Sequence, residues 1–337
     1  MMERYSRQML FSEIGEEGQK KLLDSHVLIV GAGALGSASS EMLARAGIGK
    51  ITIIDRDYVD WSNLSRQQLY TEEDVKQQLP KAIAAKKHLQ SINSNISIEA
   101  IVGDFSLEYE DVVKHVDFMI DATDNFETRF FMNDVAMKHG IPWIYGAVVR
   151  SYGTTVSIVP HKTPCFHCLL DAIQSDGMTC DTVGVISPAV QVVSSYQVTE
   201  ALKYLVSGEV SKQLVSFDVW TRQYSSVNLT KLKKADCPSC GKNPTYPFLS
   251  RDNQLKTAVL CGRNTVQIRP QQKQVTSLAE IKNHLRPLVK DLKGNDYLLS
   301  FTVENHRVVL FQDGRALIHG TKEEKKARNI YQRFFGA

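Results

Sequence analysis

The chain has 337 residues, of which 43% are hydrophobic and 23% charged, and its formal net charge is +3. These values are typical of a folded protein with one large domain, or with one domain and a smaller appendage. The near balance of 40 basic and 37 acidic side chains argues against a nucleic-acid-binding protein. No apolar run reaches the ~18–20 residues that cross a bilayer, and the first residues show no signal-peptide core. We therefore expect a cytoplasmic protein with neither a nucleic-acid nor a membrane partner.

The first 160 residues alternate strand and helix patterns. Strand patterns lie at 27–30, 51–54, 96–102, 117–121 and 143–145. Helical apolar stripes lie between several of them, and this alternation predicts a parallel sheet covered by helices on both faces. Farther along, strand patterns at 154–159, 214–219 and 223–229 surround one long helix, with Ser187 as its predicted N-cap. The predicted fold class is α/β, with a Rossmann-like mixed sheet that is parallel in its first half and antiparallel in its second, flanked by helices.

A turn-rich stretch from Cys240 to Pro247 marks the predicted domain boundary. Residues 1–245 then form the main domain. Residues 250–337 form a small C-terminal α+β domain of unknown role, with a helix that begins at a capping box on Ser277 and a hairpin across 297–311.

A glycine-rich loop follows the first strand pattern and opens a helix. It contains Gly31, Gly33 and Gly36, and Asp55 ends the next strand. Glycines let the backbone approach a phosphate, the helix N-terminus supplies unpaired N–H groups, and the acid accepts ribose hydroxyls. The loop predicts a nucleotide site, although by itself it does not distinguish NAD, FAD and ATP. The alternative is a tight turn within the sheet.

Charged and amide side chains after the next strands suit a triphosphate better than a nicotinamide. They are Asp57, Asn63, Arg66, Gln67 and Lys81. Asp124 follows a further strand, at the sheet edge where open α/β sheets bind ligands, and a carboxylate there can hold Mg²⁺ against phosphate oxygens. Taken singly, Arg66 and Lys81 also fit a solvated surface, and Asp124 also fits a helix N-cap.

Four of the six cysteines form two Cys-x-x-Cys knuckles. The first is Cys165 with Cys168, and the second is Cys237 with Cys240. Two paired knuckles predict a closed tetrahedral Zn²⁺ site of four thiolates. The alternatives are four ordinary buried cysteines or a redox pair. His167 is expected to be a bystander and Cys261 a core residue.

At these motifs the chain resembles the ThiF/MoeB/HesA family, the bacterial relatives of ubiquitin-activating enzymes. The matching stretches are 4–8, 31–36, 55–57, 63–67, 80–81, 121–125 and the two cysteine pairs. The resemblance spans roughly residues 1–241. It implies an adenylyltransferase that uses ATP to adenylate the C-terminal glycine carboxylate of a ubiquitin-fold sulfur carrier ending in Gly-Gly. The carrier would be ThiS-like or MoaD-like, for thiamine or molybdopterin synthesis.

The resemblance also assigns roles to residues. Gly33, Asp55, Arg66, Lys81 and Asp124 would hold ATP and Mg²⁺, while Arg7 would reach the ATP of the other subunit in a homodimer. Cys180 aligns with the family's reactive cysteine, and an incidental loop thiol is an equally good interpretation. Two rival functions are a Rossmann-type NAD(P)/FAD oxidoreductase and a zinc-organised binding module that keeps a nucleotide for structure.

Overall fold

The computed structural model describes residues 2–170, 183–250, 257–259, 264–270 and 277–335. The chain divides into two compact units. The first unit comprises Met1–Lys76 and Pro80–Ser250, and the second comprises Gln77–Leu79 and Arg251–Ala337. Among the described residues, no helix is both long and apolar enough to cross a membrane.

The first unit alternates strands and helices along most of its length. Its described strands are β1 (His26–Val30), β2 (Lys50–Asp55), β3 (Ser97–Val102), β4 (Phe118–Asp121), β5 (Trp143–Val149), β6 (Tyr152–Ile158), β7 (Gln213–Asp218) and β8 (Gln223–Asn228). Its described helices are α1 (Ser6–Met9), α2 (Gly15–Asp24), α3 (Ala34–Ala46), α4 (Glu72–Lys76), α5 (Lys81–Ile92), α6 (Glu110–Val113), α7 (Phe126–His139), α8 (Phe166–Leu169) and α9 (Ser187–Ser207).

In the part of the chain that the structure describes, these strands form one sheet in the order β3-β2-β1-β4-β5-β6-β7-β8. The pairs from β3 to β5 are parallel, and the pairs from β5 to β8 are antiparallel. The direction changes at β5 because only Arg150 and Ser151 separate it from β6, and so short a turn joins antiparallel strands only. The predicted mixed sheet is confirmed.

Burial follows the position of each strand in the sheet. Every residue of β1 and of β4 is buried, because helices cover both faces of the parallel half. The edge strand β8 is exposed along its whole length. Against the middle of the sheet packs α9, whose apolar residues join Leu35 of α3 and Phe217 of β7 in one buried cluster.

The long helix α9 begins one residue away from its predicted start. Ser187 was expected to be the N-cap, but Ile186 occupies that position and Ser187 is the first helical residue. The reason is that the carbonyl oxygen of Ile186 already accepts hydrogen bonds from the amides of Ala189 and Val190. Pro188 remains within the first turn, where its missing N–H costs nothing.

The second unit contains an antiparallel sheet. Its described strands are β9 (Thr257–Val259), β10 (Thr265–Ile268), β11 (Lys290–Gly294), β12 (Leu298–Val303), β13 (His306–Phe311) and β14 (Ala316–His319), in the order β11-β12-β13-β14-β10-β9. Its helices are α10 (Leu278–Leu285) and α11 (Glu324–Phe335). Ser277 caps α10 by accepting a hydrogen bond from the amide of Glu280 at 3.4 Å. Glu304 and Asn305 turn β12 into β13, and both have positive φ as a two-residue hairpin of this type requires.

Candidate active site

The glycine loop lies where β1, β4 and α3 converge. Gly31 has φ +97°, and a Cβ there would stand 2.5 Å from the carbonyl oxygen of Ala122. A Cβ on Gly36 would overlap the carbonyl oxygen of Gly31. At Gly33, the N-cap of α3, the nearest atom would be 3.9 Å away, so this position opens toward free space. Gly31 and Gly36 are therefore required by packing, whereas the packing leaves Gly33 free to face a ligand.

Asp55, at the end of β2, ties the loop to the next turn. Its Oδ2 accepts the amide of Ala32 and its Oδ1 accepts the amide of Asp57, both at 2.6 Å. Burial raises the pKa of Asp55, and the nearby Lys81 ammonium opposes that rise. Each carboxylate oxygen keeps a second lone pair, so the side chain can accept ribose hydroxyls while it holds the loop.

Lys81 lies at the start of α5 with its side chain buried. Its Nζ is 2.9 Å from Oδ2 of Asp57, and its backbone amide donates to the carbonyl oxygen of Asp57 at 2.9 Å. Tyr70 closes the arrangement, since its hydroxyl donates to the carbonyl oxygen of Ala32 at 2.6 Å. The structure thus brings together the predicted residues Asp55, Asp57 and Lys81.

The segment after Asp57 forms a short 3-10 helix, Trp61–Asn63, with Asp60 as its N-cap. Asn63 is buried, and its Oδ1 accepts the amide of Asp60 at 3.0 Å, so its side chain shapes the turn. Arg66 is partly exposed and donates from Nη1 to the carbonyl oxygen of Ser62 at 2.7 Å.

Gln67 is the site's orphaned polar group. Its side chain is buried beside Gly33, and among the described residues its Oε1 has no hydrogen-bond partner. A buried carbonyl oxygen without a donor is uncommon in folded proteins and points to a donor that is not among the described residues. A ribose hydroxyl or a base amino group is such a donor.

Asp124 follows β4 with its side chain 67% exposed. The helix N-cap alternative fails, because Asn125 caps α7 by accepting the amide of Thr128 at 2.9 Å. Nη2 of Arg56 lies 4.0 Å from Oδ1 of Asp124, and Nη1 of Arg56 lies 3.1 Å from Oδ1 of Asp104. Burial alone would lower the pKa of Arg56, but these two carboxylates outweigh it and the pKa is raised.

Sequence analysis missed two cations near this edge. Arg56 stands between Asp55 and Asp57 in the chain, so its position was a usable signal. Arg129, on the first turns of α7, is buried: its Nε donates to Asp121 at 2.9 Å and its Nη2 to the carbonyl oxygen of Thr123 at 2.8 Å. No sequence pattern predicts that contact, which braces the turn leading to Asp124.

Arg7 is not brought to this group. Arg7 on α1 is exposed, and its side chain makes no hydrogen bond or ion pair with the part of the chain that the structure describes. Cys180 lies outside the described residues, and so does Cys261.

The four knuckle cysteines meet in space. Their Sγ atoms all lie within 4.8 Å of one another, with 3.5 Å between Cys165 and Cys237 and 3.5 Å between Cys168 and Cys240. A tetrahedron of ~2.3 Å zinc–sulfur bonds has ~3.8 Å between its sulfur atoms, so the spacing fits a tetrathiolate site. All four are free thiols. Hydrogen bonds from Cys165 and Cys240 lower the pKa of Cys168.

His167 is not part of this cluster. Its ring packs against Phe130, with 4.7 Å between the ring centroids, and against Phe248. Burial lowers the pKa of His167.

Comparison with known proteins places the chain among adenylating enzymes. The sulfur carrier protein ThiS adenylyltransferase of Bacillus subtilis (strain 168) is 52% identical over 337 residues, covering 100% of both chains. The molybdopterin-synthase adenylyltransferase of Escherichia coli (strain K12) is 35% identical over 247 residues, covering 72% of this chain and 97% of the relative.

A solved structure shares the fold. A crystal structure of E. coli MccB with ATP matches with a TM-score of 0.60 at 25% identity, covering 71% of this chain and 74% of MccB. The sequence profile described as "ThiF family" matches residues 5–239, well over half of the chain. The chain therefore belongs to the ThiF family.

Proposed function

We propose that this protein adenylates the C-terminal glycine carboxylate of a small ubiquitin-fold sulfur carrier, consuming ATP and releasing pyrophosphate. The observation that carries the proposal is the grouping around a glycine loop of Asp55 at the end of β2, the Asp57–Lys81 pair beside it, and Asp124 after β4. A ThiS-type carrier for thiamine synthesis is favoured over a MoaD-type carrier, because the relative that matches the whole chain is named as a ThiS adenylyltransferase. The oxidoreductase alternative has no support among the relatives described above.

The nucleotide is proposed to lie across the glycine loop. The open face at Gly33 admits phosphate, and the N-terminal amides of α3 point toward it. Asp55 then accepts ribose hydroxyls, and the orphaned Oε1 of Gln67 accepts a further hydrogen from the nucleoside. Gly31 and Gly36 keep the loop closed, and Asn63 holds the turn that carries Arg66 and Gln67.

The carrier's carboxylate attacks the α-phosphorus, and pyrophosphate leaves. Lys81 and Arg66 offset the negative charge that grows on the phosphate oxygens, which is often the largest catalytic contribution in such reactions. Asp57 orients the Nζ of Lys81 until phosphate arrives. Asp124, exposed beside the loop, would hold Mg²⁺, which supplies further charge neutralisation. This step requires no side-chain nucleophile, so the capture of an acyl group by Cys180 remains a separate prediction.

The exposed guanidinium of Arg7 supports a homodimer in which this residue completes the partner's site. Within one subunit Arg7 has no partner among the described residues, although it follows the buried Tyr5 closely in the chain. A cation at the surface is available to the phosphates of a neighbouring chain.

Zn²⁺ is the metal proposed for the four cysteines, because a buried, closed set of four sulfur ligands is typical of structural zinc. Such a site leaves no position open for substrate, so its contribution is to stability. A cytoplasmic location belongs to the proposal, because a reducing compartment keeps cysteines available as metal ligands.

Substitution of the loop glycines should separate folding from nucleotide binding. Gly36→Ala forces an overlap with the backbone of Gly31 and is expected to destabilise the protein by about 1–3 kcal/mol. Gly33→Ala meets no atom closer than 3.9 Å, so its melting temperature should stay near wild type while ATP affinity falls. Thermal unfolding and ATP titration measure the two effects. Equal ATP affinity in Gly33→Ala and wild type would contradict the proposed nucleotide position.

Asp124→Ala should lower carrier-dependent ATP–pyrophosphate exchange about a hundredfold or more, because charge stabilisation in the transition state is lost. The matched control is Asp111→Ala, which removes a carboxylate that is 89% exposed and pairs only locally with Lys114. Exchange of labelled pyrophosphate is measured with ThiS-like and MoaD-like carriers in parallel. Near-normal exchange in Asp124→Ala would remove this residue from the mechanism.

Mixing two inactive variants should restore activity if Arg7 acts across a dimer. A heterodimer of Arg7→Ala and Asp124→Ala chains has one site with both residues and one site with neither. Exchange activity should rise on mixing and should scale with the heterodimer fraction determined by mass. Absence of any recovery, with the heterodimer present, would show that Arg7 does not complete the partner's site.

The purified protein should hold about one zinc per chain. Cys168→Ser should lower both metal content and unfolding temperature, because binding of a structural metal is coupled to folding. Cys180→Ser is the matched control, since that cysteine is not among the four, and it should retain zinc. Elemental analysis measures the zinc content, and thermal unfolding measures the stability. A stable wild-type protein free of metal would refute the zinc site.

A further inference from the structure

Helix α7 carries two adjacent polar residues that face the protein interior. Asn133 and Asp134 both have 0% exposure. Asp134 forms no salt bridge within the described residues. A buried carboxylate without a cation is costly unless hydrogen bonds satisfy its oxygens. The partners of these two side chains therefore explain why they are there.

Those partners lie in the two cysteine knuckles and in the segment after the second one. The amide of Phe166, inside the first knuckle, donates to Oδ1 of Asn133 at 2.9 Å. The hydroxyl of Ser239, inside the second knuckle, donates to Oδ1 of Asp134. Oδ2 of Asp134 accepts the amide of Phe248 at 2.9 Å.

The two side chains are also joined to each other, because Nδ2 of Asn133 donates to Oδ1 of Asp134 at 3.3 Å. One short segment of one helix thus holds both halves of the cysteine cluster. We infer that Asn133 and Asp134 are positioning residues for the metal site, which bring the two knuckles together before the metal binds. This inference rests on the zinc site proposed above.

The chain needs such a device because 68 residues separate Cys168 from Cys237. If no hydrogen bonds held the two knuckles together, metal binding would have to close the chain between them, and the second knuckle would lose much conformational freedom in that step. When hydrogen bonds to α7 fix both knuckles, this loss of conformational entropy occurs during folding, so less of it opposes metal binding.

The test measures zinc affinity of the full-length, metal-stripped protein by competition with a coloured chelator. Asp134→Ala should weaken zinc binding tenfold or more, in the range typical for residues that support metal ligands. Ser239→Ala should weaken it less. The double variant should bind zinc as Asp134→Ala does, because both substitutions remove the same hydrogen bond. Additive losses would contradict action through that bond.

Three further variants separate positioning from general destabilisation. Asp134→Asn keeps an oxygen for Phe248 and an amide that can donate to Ser239, but it loses the acceptor for Nδ2 of Asn133. It should therefore weaken zinc binding less than Asp134→Ala does. Asn133→Ala should weaken zinc binding because it removes the acceptor for Phe166 in the first knuckle and the donor to Asp134. Asp74→Ala removes an equally buried carboxylate that bonds to Thr71 and His88, away from both knuckles, and its zinc affinity should match wild type.

Cobalt binding gives a spectroscopic check. The wild type should show the absorption of a tetrahedral cobalt–thiolate site, and Ser239→Ala should reach that spectrum only at higher cobalt concentration. If Asp134→Ala fails to fold, Ser239→Ala and Asp134→Asn decide the question. Zinc affinity within twofold of wild type in Ser239→Ala and Asn133→Ala would overturn the inference, as would an equal loss in Asp74→Ala. If the wild type bound zinc but adenylated no carrier, the proposed function would be wrong and the inference about Asn133 and Asp134 would be unaffected.

Discussion

The candidate active site depends on the carboxylate of Asp55, which holds two backbone segments at once. One oxygen fixes the glycine loop through Ala32, and the other fixes the following turn through Asp57. From Asp57 the network continues to Lys81 by a side-chain contact and a backbone hydrogen bond. Tyr70 returns it to the loop at the carbonyl oxygen of Ala32. The glycine loop and the buried Lys81 therefore belong to one closed set of contacts, since the hydroxyl of Tyr70 also lies 3.3 Å from the carbonyl oxygen of Lys81.

Helix α7 is the second organising element, because it reaches from the nucleotide edge to the cysteine cluster. Near its start, Arg129 braces the turn before Asp124 through Asp121 and Thr123. One turn later, Asn133 and Asp134 bind the two knuckles. A structural metal on those knuckles would stabilise the same helix that supports the Asp124 turn. This gives a zinc site a role in an enzyme whose chemistry does not use it.

Much of the fold could be predicted from local patterns. Continuous apolar runs identified β1 and β4 because both strands are buried on both faces. The antiparallel half was predicted from strand patterns with few helices between them, since antiparallel strands need no helical crossover. The predicted N-cap of α9 was wrong by one residue. Ser187 is the residue type that favours an N-cap, but the backbone geometry makes Ile186 the N-cap. The glycine loop and Asp55 were identified together because of their positions in the chain. The loop follows one strand and opens a helix, and Asp55 ends the next strand.

The amino-acid sequence by itself determined the family, the mixed α/β sheet and the residue types that the proposed chemistry needs, since each of these is encoded in local spacing. Tertiary structure alone decided which of those residues meet. It placed Lys81 on Asp57, left Gln67 with a buried oxygen that no other described residue satisfies, and brought together cysteines with 68 residues between them. It also revealed Arg129, Asn133 and Asp134, whose partners lie on other elements. Contacts between distant segments depend on how helices and strands pack, and no local pattern records them.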